Sequence, residues 1–333
     1  MTMNLFFNQL YEAAKNAQKV LITGPKFPDG DSIGACLALA FAIERISSAE
    51  VEIFGELSFR YRWLPKADAF LKNQLVSENY DLAVVLDGDR HRLPPEIHSP
   101  YHSAQIKAVI DHHASTDTDG YDICIVSPDS ASTCELLLPL LLSWKINLNS
   151  LLATWLYTGI IFDTGGFRHS NTTSDTHLLA ANLLSHKINH NQITTKILME
   201  RQKSGIELLS YALSQVEYLS DSKIAYCTIP FEQIALVGGQ DGDFEGIVEN
   251  MLYVQGVELS CLLLERNPLL TKVSLRSRGL YNVALLAQDL SSKGGGHTRA
   301  AGAIVETSLS QCEAQIRQKV INHVQNLISS DVT

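Results

Sequence analysis

Ala108-Val109-Ile110-Asp111-His112-His113 is an apolar run that ends in one acid and two imidazoles. Alone, such a tripeptide is short enough to occur in any loop. Its weight comes from what surrounds it. Upstream, Val20-Leu21-Ile22-Thr23 leads to Asp29-Gly30-Asp31, and Leu82-Ala83-Val84-Val85-Leu86 runs straight into Asp87-Gly88-Asp89. Downstream, Gly159-Ile160-Ile161-Phe162 precedes Asp163-Thr164-Gly165-Gly166. The segments ending at Asp87 and Asp111 carry few polar residues, as expected of strands in a sheet covered on both faces. In an open parallel sheet the carboxyl ends of the strands share one edge, where ligands bind. The pattern therefore predicts strand-end aspartates converging on one place. Carboxylates a few ångströms apart need cations between them, so convergence predicts metal.

Working outward, residues 4 to 17 have helical apolar spacing, 19–23 a short strand, and 24–31 a Gly/Pro loop before an apolar helix from Ser32 to about Ile46. Val51 to Phe54 is a further strand, and 130–186 is mainly helical with Ser130 as a cap. This β/α alternation is the mark of a doubly wound, mostly parallel α/β sheet. Residues 191–220 are helical and more polar, a connector between domains spanning 1–190 and 221–333. Beyond them, strands over 223–229, 257–264 and 271–276 and helices over 243–254, 281–290 and 310–328 describe a smaller α+β domain.

Composition narrows the function classes. At 333 residues the chain has material for two cores, and 45% hydrophobic with 19% charged residues is ordinary for a globular protein. No apolar run reaches the ~18 residues of a membrane span, and the first residues lack a secretory pattern. Six cysteines without paired spacing suit free thiols in a reducing cytoplasm. A net charge of −10 argues against a broad nucleic-acid surface. A local one remains: Arg266, Lys272, Arg276, Arg278, Lys293 and Arg299 face only Asp289 within 266–299.

Hard oxygen donors mixed with imidazole suit Mn²⁺ or Mg²⁺ better than a structural zinc, which prefers thiolates. One or two such ions per site would serve phosphoryl chemistry, activating water and offsetting charge on the attacked phosphorus. A helix starting near Ser32 would aim its N-terminus at an anionic substrate.

In their order these motifs resemble the DHH phosphoesterase family, most closely its bacterial nanoRNase/pAp-phosphatase branch. The residues concerned are Pro28-Asp29-Gly30-Asp31-Ser32-Ile33-Gly34, Leu86-Asp87, Asp111-His112-His113 and Gly159 to Gly165. In the second half, Ser274-Leu275-Arg276-Ser277 and Gly294-Gly295-Gly296-His297, followed by Arg299-Ala300-Ala301-Gly302, are similar to the DHH-associated C-terminal domain. The resemblance implies an active site in the cleft between the domains. It implies that Asp87 bridges two ions, that Asp31, His112 and Asp163 complete the shell of the second, and that Asp29 belongs to the first. Asp111 would orient the histidine pair, and His113 would face the substrate phosphate. Arg276, Gly294, Gly295, Gly296, His297 and Arg299 would hold the nucleotide.

One position departs from the family. Its metal-binding histidine, four residues before the first aspartate, is here Pro25, within Gly24-Pro25-Lys26-Phe27. Asp89, His91 or His169 would be the replacement ligand, or Lys26 would lend a fixed charge, or the first ion would be held weakly.

The implied activity is a metal-dependent phosphodiesterase acting on very short RNAs, with related action on 3′,5′-bisphosphorylated nucleosides. The competing readings are hydrolysis of a cyclic dinucleotide or small phosphoanhydride, and a nucleotide-binding protein with reduced catalysis. The partner is a short single-stranded RNA or small nucleotide, with neither duplex DNA nor membrane expected and a homodimer allowed.

Overall fold

The computed structural model describes residues 2–71, 79–278 and 281–330. The chain divides into two compact units, Met1–Glu200 and Arg201–Thr333, the division falling inside the stretch read as a connector.

The first unit runs α1 (Thr2–Asn16), β1 (Lys19–Thr23), α2 (Gly30–Ile46), β2 (Glu50–Phe54), β3 (Leu82–Leu86), α3 (His98–Ser103), β4 (Ile106–Asp111), β5 (Ile123–Val126), α4 (Thr133–Ser143), α5 (Ser150–Asp163), α6 (Ser174–Leu184) and α7 (His190–Thr194). Its five strands form one wholly parallel sheet in the order β2-β1-β3-β4-β5. Side chains alternate across it, so Val20, Ile22, Val84 and Ile110 enter the large core under α1, α2, α4 and α5. Leu21, Ala83 and Val85 point the other way, onto Ile97 and Tyr101 at α3. Both faces are therefore covered, which is why these strands read as unbroken apolar runs. From β1 the chain crosses outward to β2, then returns to the far side of β1 as β3. The strand order thus reverses between β1 and β3, and a crevice opens beyond their carboxyl ends.

The helices differ from the sequence reading at three points. Helix α2 begins at Gly30, because Asp29 caps it by accepting the N–H groups of Asp31 and Ser32. Helix α4 is capped by Ser132, which accepts from Glu135 N, and not by Ser130. The Gly159–Asp163 run is the last turn of α5, so Asp163 ends a helix and not a strand. A short apolar run looks alike in a buried helix and a buried strand, which explains the misreading.

The second unit runs α8 (Lys203–Ser214), β6 (Glu217–Leu219), β7 (Ile224–Ile229), α9 (Phe231–Val237), α10 (Ile247–Leu252), β8 (Leu259–Asn267), β9 (Leu270–Ser277), α11 (Val283–Leu290), β10 (Gly295–His297), β11 (Ala300–Val305) and α12 (Leu309–Ser330). Its mixed sheet has the order β10-β11-β9-β8-β7-β6. Leu263, Leu275 and Val320 belong to the core beneath α11 and α12, and Leu208, Met251 and Leu262 to the core beneath α8 to α10.

All six cysteines are unpaired. Among the described residues no helix is long and apolar enough to cross a membrane.

Candidate active site

The groups that the motifs single out meet at the crevice between β1 and β3. Asp87 directly follows β3 with φ +60, a left-handed conformation that costs a non-glycine residue energy and is typical of functional sites. Its amide is tied to Ile110 O at 3.0 Å, which holds the turn in place. One carboxylate oxygen accepts the Ser32 hydroxyl. The other lies 3.4 Å from Thr133 Oγ1 and 3.5 Å from His112 Nε2.

Asp31 is fully buried in the first turn of α2, and its two oxygens accept the amides of Thr133 (2.6 Å) and Cys134 (2.9 Å). These are the first two N–H groups of α4, which lack partners inside their own helix. The carboxylate thus locks α2 to α4 while keeping lone pairs for a further ligand. Space for it comes from Gly159, where an added Cβ would fall 2.3 Å from Asp31 Oδ1 and 2.4 Å from Cys134 Sγ.

The histidines are oriented from behind. His112 Nδ1 is 3.3 Å from Ser130 O, and a carbonyl can only accept, so Nδ1 carries the proton. Nε2 then faces Asp163 Oδ2 at 3.1 Å. His113 Nδ1 lies 2.7 Å from Asp111 Oδ1, which also accepts the His112 amide at 2.7 Å, while Oδ2 accepts the Thr116 hydroxyl. Asp111 therefore orients the His113 imidazole directly and holds the backbone amides of both histidines.

Asp31, Asp87, His112 and Asp163 each offer a ligand atom within 4.8 Å of the other three. The charges are out of balance. Burial, then the charges of Asp87, Asp163 and Asp31, push Asp29 well above the usual carboxylate range. Burial and the same neighbourhood do so for Asp31, and burial raises Asp163. For Asp87 burial acts upward too, but the hydrogen bond from His112 and the charges of both histidines outweigh it and hold the group at about 2. Burial opposes a charge on His112, yet Asp163 and Asp87 push it up to about 12. The cluster thus lacks positive charge, and the buried Asp163 Oδ2 has no hydrogen bond of acceptable geometry. Three carboxylates and one imidazole so placed fit a hard divalent cation.

Asp29 stands at the margin, since its Oδ1 is engaged as the helix cap. The residues considered as substitutes for Pro25 are largely committed elsewhere. Asp89 accepts His91 N and Asp117 N, both at 3.0 Å, through separate oxygens. His91 Nε2 binds Asp117 at 2.8 Å on the surface. Lys26 is exposed and lies over the Phe27 ring. His169 comes nearest, its Nδ1 2.9 Å from Asp163 O, a carbonyl that Asn171 Nδ2 also reaches at 3.2 Å. Sequence reading missed Ser32, Thr133, Asn171 and Gly159; the Ser132-Thr133-Cys134-Glu135 capping signature was the one available signal for α4.

In the second unit most of the glycine run lies in a strand. Gly295–His297 pairs antiparallel with Ala300–Gly302 as an edge strand. Gly294 lies so close to α11 that an added Cβ would meet Ala287 O at 1.9 Å, and one on Gly296 would meet Ala300 O at 2.5 Å. His297 and Arg299 are exposed on this hairpin. Arg276, on the neighbouring strand β9, is half-buried and gives its Nε to Glu249 at 2.8 Å. The basic residues do not act as one patch: Lys293 pairs with Glu306, and Arg266 lies over Phe244.

An acid and imidazole cluster at the switch point of a parallel sheet is the architecture of a metal-dependent phosphoester hydrolase. Residues 19–160 match the DHH family, N-terminal domain. The chain is similar to the bifunctional oligoribonuclease and PAP phosphatase NrnA of Thermus thermophilus, 29% identical over 279 residues, which span 84% of this chain and 82% of that one. The cyclic-di-AMP phosphodiesterase GdpP of Bacillus subtilis is 28% identical over 93% of this chain, but the match spans 49% of that protein. Among solved structures, an exopolyphosphatase-related protein from Bacteroides fragilis superposes with a TM-score of 0.87 at 25% identity, covering 98% of both chains.

Proposed function

We propose that this protein is a phosphodiesterase that hydrolyses very short oligoribonucleotides to mononucleotides and removes the 3′-phosphate of pAp-type nucleotides. The observation that carries the reading is the cluster of Asp31, Asp87, His112 and Asp163, three of them buried, short of positive charge and placed at the β1/β3 crevice. The NrnA-type relative, matched over most of both chains, supports the substrate class.

A bound Mn²⁺ or Mg²⁺ would supply the charge that activates water and offsets the developing charge on phosphate. Asp31, Asp87, His112 and Asp163 would hold it, with Asp29 available toward a second. The rest is the chain's own work. Asp111 fixes the Nδ1 proton of His113, so that Nε2 is the atom turned to the substrate phosphate and its leaving oxygen. Ser130 O fixes His112 as the tautomer that presents Nε2 to the acids. Pro25 removes the family's imidazole at the other end of the site, so Asp29 works without it. In the second unit, Arg276, His297 and Arg299, with the backbone of Gly294, Gly295 and Gly296, would hold the nucleotide. Six unpaired thiols suit a reducing compartment such as the cytoplasm.

The test is Mn²⁺-dependent hydrolysis of a 5′-labelled RNA dinucleotide, beside phosphate release from 3′,5′-bisphosphoadenosine, each with a chelator control. Metal-dependent mononucleotide release is expected. Turnover of cyclic-di-AMP alone would replace this substrate class with that of the GdpP-type relatives. Tight nucleotide binding without turnover under Mn²⁺, Mg²⁺ or Co²⁺ would replace it with a binding role.

A further inference from the structure

The loops after β1 and β3 carry three side chains that the cluster does not use. Arg90, His91 and Arg92 are consecutive basic residues, and two are committed: Arg90 binds Asp117 at 2.8 Å and also Asp119 O, while His91 binds Asp117. Arg92 has no ion pair or hydrogen bond from its guanidinium among the described residues, although it is exposed. Its stem lies along Gly88, the residue after Asp87; a Cβ there would touch Arg92 Cδ at 3.4 Å and Nη1 at 3.6 Å. Gly88 has φ +150, which other residues rarely adopt, so backbone and missing side chain together let the guanidinium rest against the residue that follows Asp87.

The first loop meets the second here. Lys26 N donates to Arg92 O at 3.0 Å, binding residue 26 to the segment that carries the guanidinium. Lys26 is exposed without a carboxylate partner among the described residues, its ammonium 5.4 Å from the Phe27 ring centroid. Phe27 itself is 66% exposed, two residues before the cap Asp29. An unpaired guanidinium, an ammonium and a solvent-facing aromatic ring on two joined loops suit a phosphate with a base next to it.

We propose that Lys26, Phe27 and Arg92 form a nucleotide-gripping rim, with the two cations holding the phosphate that neighbours the scissile one and Phe27 stacking on the adjoining base. The proposal rests on the short-RNA reading above and adds a specificity device to it. Pro25 cannot hold a metal through its side chain, and the loop that lost that ligand presents to substrate what its neighbours offer, charge and an aromatic face. The rim favours a substrate with a second phosphate over one without.

Kinetics on two RNA dinucleotides, pApA with a 5′-terminal phosphate and ApA without it, test this directly. In Arg92→Ala, KM for pApA should rise about tenfold, the scale of a lost charge-assisted contact, and for ApA several times less, with Arg92→Lys recovering part of the loss. Lys26→Ala should follow Arg92→Ala. Phe27→Ala should weaken both dinucleotides about tenfold or more, and Phe27→Tyr should restore them. Equal losses on pApA and ApA in Arg92→Ala, or unchanged KM in all three alanine variants, would overturn the rim. If the wild-type protein hydrolyses neither dinucleotide, the short-RNA reading fails, and the rim is decided by calorimetric titration of pApA into chelator-treated protein. There a tenfold weaker Kd in Arg92→Ala sustains it, and an unchanged Kd removes it.

Discussion

The two units use charge in opposite ways. At the first unit's sheet edge, carboxylates are buried and held by backbone amides, hydroxyls and ring nitrogens. On the hairpin of the second unit, Arg299 and His297 are exposed, and the rigid element is the glycine-bearing backbone packed on α11 and β11. A preorganised, water-poor cluster suits the reacting centre, where misplacement by an ångström is costly. An exposed cation suits attraction and grip, which a ground state and a transition state share alike. If the contrast is right, substitutions in the first region should alter chemistry, metal affinity and stability, and those in the second mainly apparent affinity.

The sharpest attempt to break the contrast is Asp87→Asn. The change is nearly isosteric and keeps hydrogen-bonding capacity, but it removes the charge between His112, His113 and Ser32. Turnover should fall on the order of 10³-fold or more, while circular dichroism and thermal unfolding show a folded protein. Residual activity above a tenth of wild type would show that the cluster tolerates loss of its central charge.

Next in size is Gly159→Ala. A methyl group would press on Asp31 Oδ1 and Cys134 Sγ at once. The overpacking should cost about 1–3 kcal/mol, read as a lower Tm, and weaken metal binding roughly 10–100-fold as Asp31 is displaced. Wild-type stability and metal affinity in this variant would mean that α5 and α2 can part without cost, contrary to the buried packing of Asp31.

Proton accounting probes the same region without mutation. Without metal, His112 is pushed up to about 12 and so holds a proton at neutral pH, and Asp31 is raised well above its usual value. Metal ligation needs both deprotonated. Binding of Mn²⁺ must therefore release protons, and the affinity must rise with pH between about 6 and 8. Calorimetry in two buffers of different ionisation enthalpy should report net release of at least one proton. Zero release, or affinity that falls as pH rises, would contradict the charge balance.

Much of this site is legible in the sequence because each motif is local. Asp29, Asp31, Asp87, Asp111 and the histidine pair stand a few residues beyond runs whose apolar character marks them as buried. What holds the acids is not local. The Asp31 carboxylate finds the amides of Thr133 and Cys134 about a hundred residues away, and nothing near Asp31 announces α4. Asp163 reads as a strand end because Gly-Ile-Ile-Phe has no period long enough to separate helix from strand, and it ends a helix. Nor does a glycine run, which favours turns, announce an edge strand that must approach α11. The Arg276–Glu249 pair was invisible for the same reason as the α4 amides: its partners lie on different elements.

The smallest effect belongs to the second region, with Arg299→Ala. Arg299 lies in the turn between β10 and β11, exposed and without an ion pair among the described residues. Its removal should not disturb the fold, since the hairpin is held by pairing of Gly295–His297 with Ala300–Gly302 and by Ser277 N donating to Arg299 O. Loss of one charge-assisted contact to a substrate phosphate should raise KM about tenfold with kcat within about twofold. That split is the signature of binding made equally in ground and transition states. A fall in kcat with KM unchanged would place Arg299 at the reacting phosphate and erase the division of labour between the two units. The comparison with Asp87→Asn, made on the same dinucleotide and under the same Mn²⁺ concentration, then measures how far chemistry and grip are separated along this chain.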